Sequence, residues 1–263
     1  MIELKNVSLV KERSTILQNL TLSIRPSRFI SIIGRNGAGK SSLLSVLSGE
    51  ELNYAGEVKV FGQDLRHIPI GDLAKFRAIL PQQHIAGFSF SVEEVIELGA
   101  FPHSKSEDIV AEKTSEIIKL LSLEKLRSRN IQSLSGGERQ KVHFARTLLQ
   151  VFLSDHPSPF LLLDEPANNL DLSCQQEIFE LLKELCNAEK LTVIAIVHDI
   201  NLAARYSDDF IFLKAGQLLE CSPAEQCLKA DILENALGHP VDVIYHPCST
   251  CPLIVPKSKL INV

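Results

Sequence analysis

The sequence predicts an α/β protein whose core of buried strands is interrupted by a helical insertion. Three observations carry that expectation. Short β-like runs crowd the first sixty residues, in IELKNVSLV, LTLSIRP, FISIIG and EVKVFG. Two continuous apolar runs return late, FLLLD (160–164) and LTVIAIVHD (191–199), with a helical stretch between them. From about 83 to 155, apolar side chains instead recur at three- and four-residue spacing.

Each element follows from its residues. Pro26, Gly34, Gly56 and Gly62 punctuate the early runs, as turn residues do between strands. After Gly34 the run SSLLSVLSG reads as a helix, closed by Gly49 where a C-cap glycine is preferred. SVEEVIELGA (91–100) and EDIVAEKTSEIIKLLSL (107–123) follow as helices, the second with Ile109, Ile117, Leu120 and Leu121 as its apolar residues. The unbroken apolar runs of FLLLD and LTVIAIVHD are the pattern of strands buried on both faces of a parallel sheet. CQQEIFELLKELCNAEK (174–190) lies between them as a helix and completes a β-α-β unit.

Composition narrows the function classes. With 263 residues, 45% of them hydrophobic, the chain has the makings of a sizeable core and not of a disordered segment. A net charge of -5 argues against a nucleic-acid binder working by broad electrostatics. The most apolar stretches are strand-length, well below the roughly 20 residues a membrane-crossing helix needs. The N-terminal MIELKNVSLVKER has no apolar export signal, and six cysteines in a chain of this size fit a cytosolic protein with reduced thiols. The lone CSTC (248–251) lacks both a strand-to-helix setting and a second ligand pair, so it reads as incidental cysteines.

Three stretches carry chemistry, and two single residues stand beside them. GRNGAGKS (34–41) fits G-x-x-x-x-G-K-[ST] between an apolar strand and a helix. Glycines let the backbone N–H groups of Gly34, Arg35, Asn36, Gly37, Ala38, Gly39, Lys40, Ser41 and Ser42 wrap around phosphates at a helix N-terminus. Lys40 would reach the β- and γ-phosphates and Ser41 would bind Mg2+. FLLLDEP ends a buried strand on two carboxylates: Asp164, suited to hold the metal, and Glu165, placed to polarise a water. Asp, Glu and Pro also favour ordinary strand-terminal turns, and the phosphate loop in the same chain is what tips the reading. His198 ends another buried strand and Gln82 follows AILP; spacing alone makes neither more than a strand-end histidine and a loop glutamine. Finally, SLSGGERQ (133–140) places Ser135, Gly136, Gly137 and Glu138 at the mouth of a helix. That is a second cluster of donors suited to an anion.

GRNGAGKS, Gln82, LSGGE (134–138), LLLDEP (161–166), NNLD (168–171) and His198, in this order, resemble the ATP-binding subunit of an ABC transporter over nearly the whole chain. The resemblance implies a single domain with a P-loop NTPase (RecA-like) core, residues 1–82 and 156–220, carrying an N-terminal antiparallel β subdomain. It further implies a helical signature subdomain at 83–155 and a C-terminal tail at 221–263. It also implies an ATPase using ATP and Mg2+, the metal held by Ser41, Gln82 and Asp164. Glu165 would be the general base and His198 the γ-phosphate switch. Two subunits would face head to tail as a homodimer, so that Ser135 to Glu138 of one cap the nucleotide of the other. Asn169 and Asp171 would lie in the loop that communicates across the dimer.

The implied partners are two transmembrane permease subunits and, indirectly, a substrate-binding protein. The resemblance implies no nucleic acid, and a place of work on the cytoplasmic face of the bacterial plasma membrane. Phe88, Phe90 and Val92 offer apolar surface for the permease, or alternatively core packing. Two departures stand out: no aromatic residue precedes Phe29 to stack on adenine, and ANNLD replaces the more usual TSALD. Adenine would then rest on aliphatic or cationic contacts. FSVEEVIELGAFPH is similar to importers of the iron-siderophore, haem and cobalamin group. LSGGE, the extra VFLSDHPSP and the tail LGHPVDVIYHPCSTCPLIVP lean toward haem within it. Non-transport ABC ATPases carry two cassettes or a long coiled coil, and a GTPase switch expects N-K-x-D; the chain has none of these.

Overall fold

The computed structural model describes residues 1–81, 89–168, 170–188, 191–245 and 251–258. By its contacts the chain forms two compact units, one made of Met1–Leu65 with Ala195–Val263, the other of Arg66–Ile194.

The first unit opens with strands β1 (Ile2–Lys11) and β2 (Ser14–Ile24), an antiparallel hairpin running from Ile2 opposite Ile24 to Lys11 opposite Ser14. Glu12 and Arg13 turn it, both with positive φ. Ile2, Leu4, Val7 and Leu9 are buried, while the polar Glu3, Lys5, Asn6 and Ser8 between them are half-buried or exposed, the mark of a half-buried antiparallel strand. Strand β3 (Phe29–Ile33) is buried throughout, and helix α1 (Lys40–Ser48) follows, closed by Gly49 at φ 75° as expected. Strands β4 (Ala55–Val60) and β5 (Gln63–Asp64) complete an antiparallel sheet of order β2-β1-β4-β5.

The second unit contains α2 (Ile70–Leu73), β6 (Arg77–Leu80), α3 (Val92–Glu97), α4 (Glu107–Leu120), α5 (Gly136–Phe152), β7 (Phe160–Asp164), α6 (Leu172–Asn187) and β8 (Thr192–Ile196), whose last residues pass into the first unit. β6 and β7 are parallel, from Arg77 opposite Phe160 to Leu80 opposite Leu163, in the order β8-β7-β6. The α4 face differs from the sequence expectation. Thr114, Ile117, Ile118 and Leu121 are buried, whereas Ile109 and Leu120 are 44% and 45% exposed. Spacings of three and four from Thr114 define the stripe, and Ile109 and Leu120 fall on its flank.

The chain returns to the first unit through α7 (Ile200–Tyr206), β9 (Asp209–Lys214), β10 (Gln217–Pro223), α8 (Ala224–Cys227), α9 (Ala230–Leu237), β11 (Val241–Tyr245) and β12 (Pro252–Pro256). β9 lies parallel to β3, from Ile30 opposite Asp209 to Ile33 opposite Phe212, and β10 pairs antiparallel with β9. The four apolar residues of β3 and Phe210 to Leu213 of β9 are 2% exposed or less, and Ser31 between them is equally buried. Each large side chain so removed from water contributes about 1.5–3 kcal/mol. β11 and β12 form an antiparallel hairpin in which Val243 faces Ile254.

Candidate functional site

The buried strand β3 delivers the chain to Gly34, and the loop from there to α1 is held by contacts that leave little freedom. A Cβ on Gly34 would lie 2.4 Å from the carbonyl oxygen of Leu213 at the end of β9, so only glycine lets the loop start this close to the sheet. Gly39 stands at φ 99° against Leu17 and Ile16 of β2, a backbone conformation L side chains rarely take, and there α1 begins. The Ala38 N–H donates to the Arg35 carbonyl at 3.0 Å, closing the turn. Lys40 is 7% exposed, and its ammonium donates to the carbonyls of Gly34 and Arg35 at 2.9 and 3.1 Å. The cation is therefore folded over the loop that the N-terminus of α1 makes attractive to anions. Arg35, Asn36, Gly37 and Ser41 are exposed, with Gly34, Gly39 and Ser42 half-buried and Ala38 buried.

His198 belongs to the same unit. The Val197 N–H donates to the Ile32 carbonyl at 3.4 Å, so His198 leaves its strand beside the one that feeds the phosphate loop. Asp199 then caps α7, its Oδ1 accepting from the N–H groups of Asn201 and Leu202 at 2.8 and 3.2 Å. His198 is exposed at this junction.

In the second unit, β7 runs buried from Phe160 to Leu163 and emerges at half-buried Asp164 and Glu165. Glu165 has φ 56°, a left-handed conformation unusual for a non-glycine residue and common at functional turns. Its Oε2 accepts from the Asn168 side-chain amide. Sequence reasoning missed two further contacts here. Asp171, expected in an intersubunit loop, caps α6 in its own chain, with Oδ1 accepting from the Cys174 N–H at 2.8 Å. Gln175, one turn into α6, donates to the carbonyls of Ala167 and Leu170 at 3.1 and 3.0 Å and so staples the loop between the carboxylates and the helix. An aspartate before a helical run was a readable capping signal; the staple had no local signature.

The glycine pair of SLSGGERQ opens α5. Ser135 is its N-cap in a full capping box: the Ser135 hydroxyl accepts from the Glu138 N–H at 3.3 Å, and Glu138 Oε2 accepts from the Ser135 N–H at 2.8 Å. The Ser135 N–H and hydroxyl hold the Glu138 carboxyl below the usual carboxylate range. Arg139 donates to the Leu134 carbonyl at 3.3 Å and steadies the approach. A Cβ on Gly136 would meet nothing within 4 Å. Within the described residues, then, packing does not ask for glycine there.

Gln82, Phe88 and Asn169, with Cys248 of the CSTC, lie outside the described residues. Of the other apolar residues expected at the surface, Val92 is fully buried and belongs to the core, while Phe90 is 37% exposed. Phe101, which the sequence did not single out, is 91% exposed, with Leu98 at 50% beside it in the chain.

Comparison with known proteins accords with this arrangement. Residues 17–168 match the family model described as ABC transporter. The chain is 41% identical over 244 residues to the hemin import ATP-binding protein HmuV of Deinococcus radiodurans, covering 92% of both chains. It is 36% identical over 255 residues to the protein of the same name from Shewanella denitrificans, covering 97% of this chain and all of that one. Among solved structures it is similar to the dimeric bacterial ABC transporter cassette MJ0796, with a TM-score of 0.73, 28% identity, and 85% of this chain and 99% of that one covered. A metal-chelate type ABC transporter in an inward-facing conformation matches with a TM-score of 0.81 over 98% of both chains at 22% identity, a likeness of fold. A phosphate loop closed over by its lysine, a carboxylate pair at the end of a buried strand and a capped glycine-led helix thus occur in a P-loop NTPase fold, and the chain belongs to the ABC transporter family as an ATP-binding, ATP-hydrolysing subunit.

Proposed function

We propose that this chain powers a bacterial hemin importer, working as a homodimer on the cytoplasmic face of the plasma membrane. The observation that carries the dimer is the open space over Gly136 at a capped helix N-terminus. A helix end whose first residue, Gly136, is exposed and meets no described atom where a Cβ would stand suits the nucleotide phosphates of a second copy. The cassette MJ0796, similar to this chain, is described as dimeric. Hemin as cargo rests on the relatives, which are named hemin import ATP-binding proteins at 35–41% identity.

In this reading Lys40 and the backbone from Gly34 to Ser42 hold the phosphates. The hydroxyl of Ser41, the amide oxygen of Gln82 and the carboxylate of Asp164 are hard oxygen donors of the type Mg2+ takes alongside water and phosphate oxygens. Mg2+, when bound, neutralises charge on the transferring phosphoryl group. Glu165 accepts the proton of the attacking water through Oε1 while the Asn168 amide engages Oε2. His198 contacts the γ-phosphate, Ser135 to Glu138 cap the nucleotide of the other copy, and Asn169 and Asp171 lie in the loop between copies. Val10, 56% exposed, and Lys11, paired with Glu51 at 3.0 Å, supply the aliphatic and cationic surface for adenine at the end of β1.

No helix among the described residues is long and apolar enough to cross a membrane. Attachment to the membrane then comes through two permease subunits, which dock on the exposed Leu98 and Phe101 with Phe90. A substrate-binding protein delivers cargo to the permease from the other side. Glu165→Gln tests the mechanism: it keeps ATP binding, stops turnover and accumulates an ATP-dependent dimer in gel filtration. Near wild-type hydrolysis by that variant would remove Glu165 from the base role. For cargo, ATP hydrolysis by the purified chain–permease complex is expected to rise with hemin; a response to a siderophore or cobalamin instead would overturn the choice.

A further inference from the structure

The C-terminal hairpin makes a contact that the reading above does not use. Ile254 of β12 points both its backbone groups away from β11 and onto one side chain. The Ile254 N–H donates to Asn201 Oδ1 at 2.8 Å, and Asn201 Nδ2 donates to the Ile254 carbonyl at 3.1 Å. The amide of Asn201 thereby extends β12 as a neighbouring strand would. Asn201 is the second residue of α7, three after His198. The same C-terminal segment also meets the phosphate loop: Arg35 lies over Gly238, where an added Cβ would come within 3.0 Å of its Cδ and Nη1. Gly238, at φ 69°, is the C-cap of α9 and leads directly into β11.

The hairpin is itself firmly tied. The Val241 N–H donates to Glu234 Oε1 at 3.1 Å, the Lys257 N–H donates to the Pro240 carbonyl at 2.9 Å, and the Lys257 ammonium pairs with Asp242 at 3.1 Å. Ile254 and Val241 are 3% and 2% exposed, so a buried apolar seam accompanies the polar ties. On the other side, α7 has only seven residues, too few to hold a fixed direction by its own hydrogen bonds. Asp199 fixes the helix start internally, and Asn201 fixes it to something outside.

We propose that the C-terminal hairpin is a positioning element for the nucleotide site, and that Asn201 is the positioning residue through which it sets the first turn of α7 and with it His198. The proposal rests on the assignment of His198 to the γ-phosphate. It adds a role for a segment 53 residues distant in sequence and assigns the side chain that transmits it. Loss of the Asn201 amide frees the turn that carries His198, and a misplacement on the order of 1 Å at a reacting centre costs up to about 100-fold in rate. ATP held by Lys40 and the loop backbone does not depend on that turn.

The test is a double-mutant cycle on the full chain, measuring Mg-ATP hydrolysis and ATP binding separately. Asn201→Ala is expected to lower kcat by about tenfold or more while the Kd for ATP stays within about twofold. Asn201→Ala combined with His198→Ala is expected to be no slower than His198→Ala alone, since residues acting as a unit are not additive. Wild-type kcat in Asn201→Ala beside an impaired His198→Ala would overturn the proposal, as would losses that multiply in the double variant. A wild-type rate in His198→Ala would instead sink the assignment of His198, and the proposal with it. Hydrogen exchange on the unsubstituted chain serves if the variants fail to fold. By reciprocity of coupling, ATP should slow exchange at the Ile254 N–H more than ADP does, and equal exchange with both would overturn the proposal.

Discussion

Gly34→Ala is the sharpest perturbation the phosphate loop offers. The added Cβ would stand 2.4 Å from the Leu213 carbonyl oxygen, 3.3 Å from its carbon and 3.1 Å from the Ala38 Cβ. Real Cβ atoms essentially never approach closer than 3.0 Å, so backbone must move by at least about 0.6 Å. Neither neighbour yields easily. Leu213 is fully buried in β9, held parallel to β3 by the register Ile33 opposite Phe212, and Ala38 is pinned to the Arg35 carbonyl. The loop must therefore take up the shift. Overpacking of this kind costs about 1–3 kcal/mol, which for a chain of this size lowers Tm by about 2–4 °C per kcal/mol. Because the shift falls on the N–H groups proposed to hold the phosphates, ATP affinity is expected to drop about tenfold or more. Gly37→Ala is the matched control, since its φ of 79° brings backbone strain but nothing lies within 4 Å. Differential scanning calorimetry and titration with fluorescent ATP measure both quantities. Wild-type Tm and ATP affinity in Gly34→Ala would show that the close approach to Leu213 does not constrain the loop.

Two further outcomes are expected. Phe101→Glu should sharply reduce co-purification with the permease, while Ile109→Glu, an equally apolar but separate exposed site on α4, should not; equal effects would refute docking at Phe101. Burial pushes the Cys221 and Cys227 thiols up to about 11 from an ordinary 9.0. Their protons are thus held more tightly in the folded chain than in the unfolded one, and the associated stability is complete below about pH 9 and lost as pH rises toward about 11. The fall in Tm across that window should shrink in Cys221→Ala/Cys227→Ala; an unchanged slope would sink the assignment.

Much of the fold was written locally. Mostly apolar runs of strand length bounded by turn residues suit a strand buried on both faces, so FISII and FLLLD declared β3 and β7. Gly49 ended α1 because its left-handed φ is cheap only for glycine. GRNGAGKS was legible for the same reason: backbone suited to wrap an anion needs glycines at fixed spacing, and spacing is a property of the chain alone, whereas LSGGE took its meaning from the family resemblance. The loop NNLD was legible as a departure and Asp171 as a cap for α6, yet the other contacts there were not. Asn168 on Glu165 and the Gln175 staple form where the chain turns at Glu165, φ 56°.

By itself, then, the sequence determined the α/β class, the phosphate loop, the carboxylate pair and the glycine-led helix, because each is set by residues within a turn or two of one another. Only the tertiary structure decided that Val92 is core and Phe101 is surface, since apolar residues near α3 become one or the other according to what packs over them. Only it placed the Leu213 carbonyl against Gly34 and Asn201 against Ile254. Those contacts join residues from 53 to 179 positions apart, and their partners are chosen by strand pairing and loop closure, which no short stretch of sequence records.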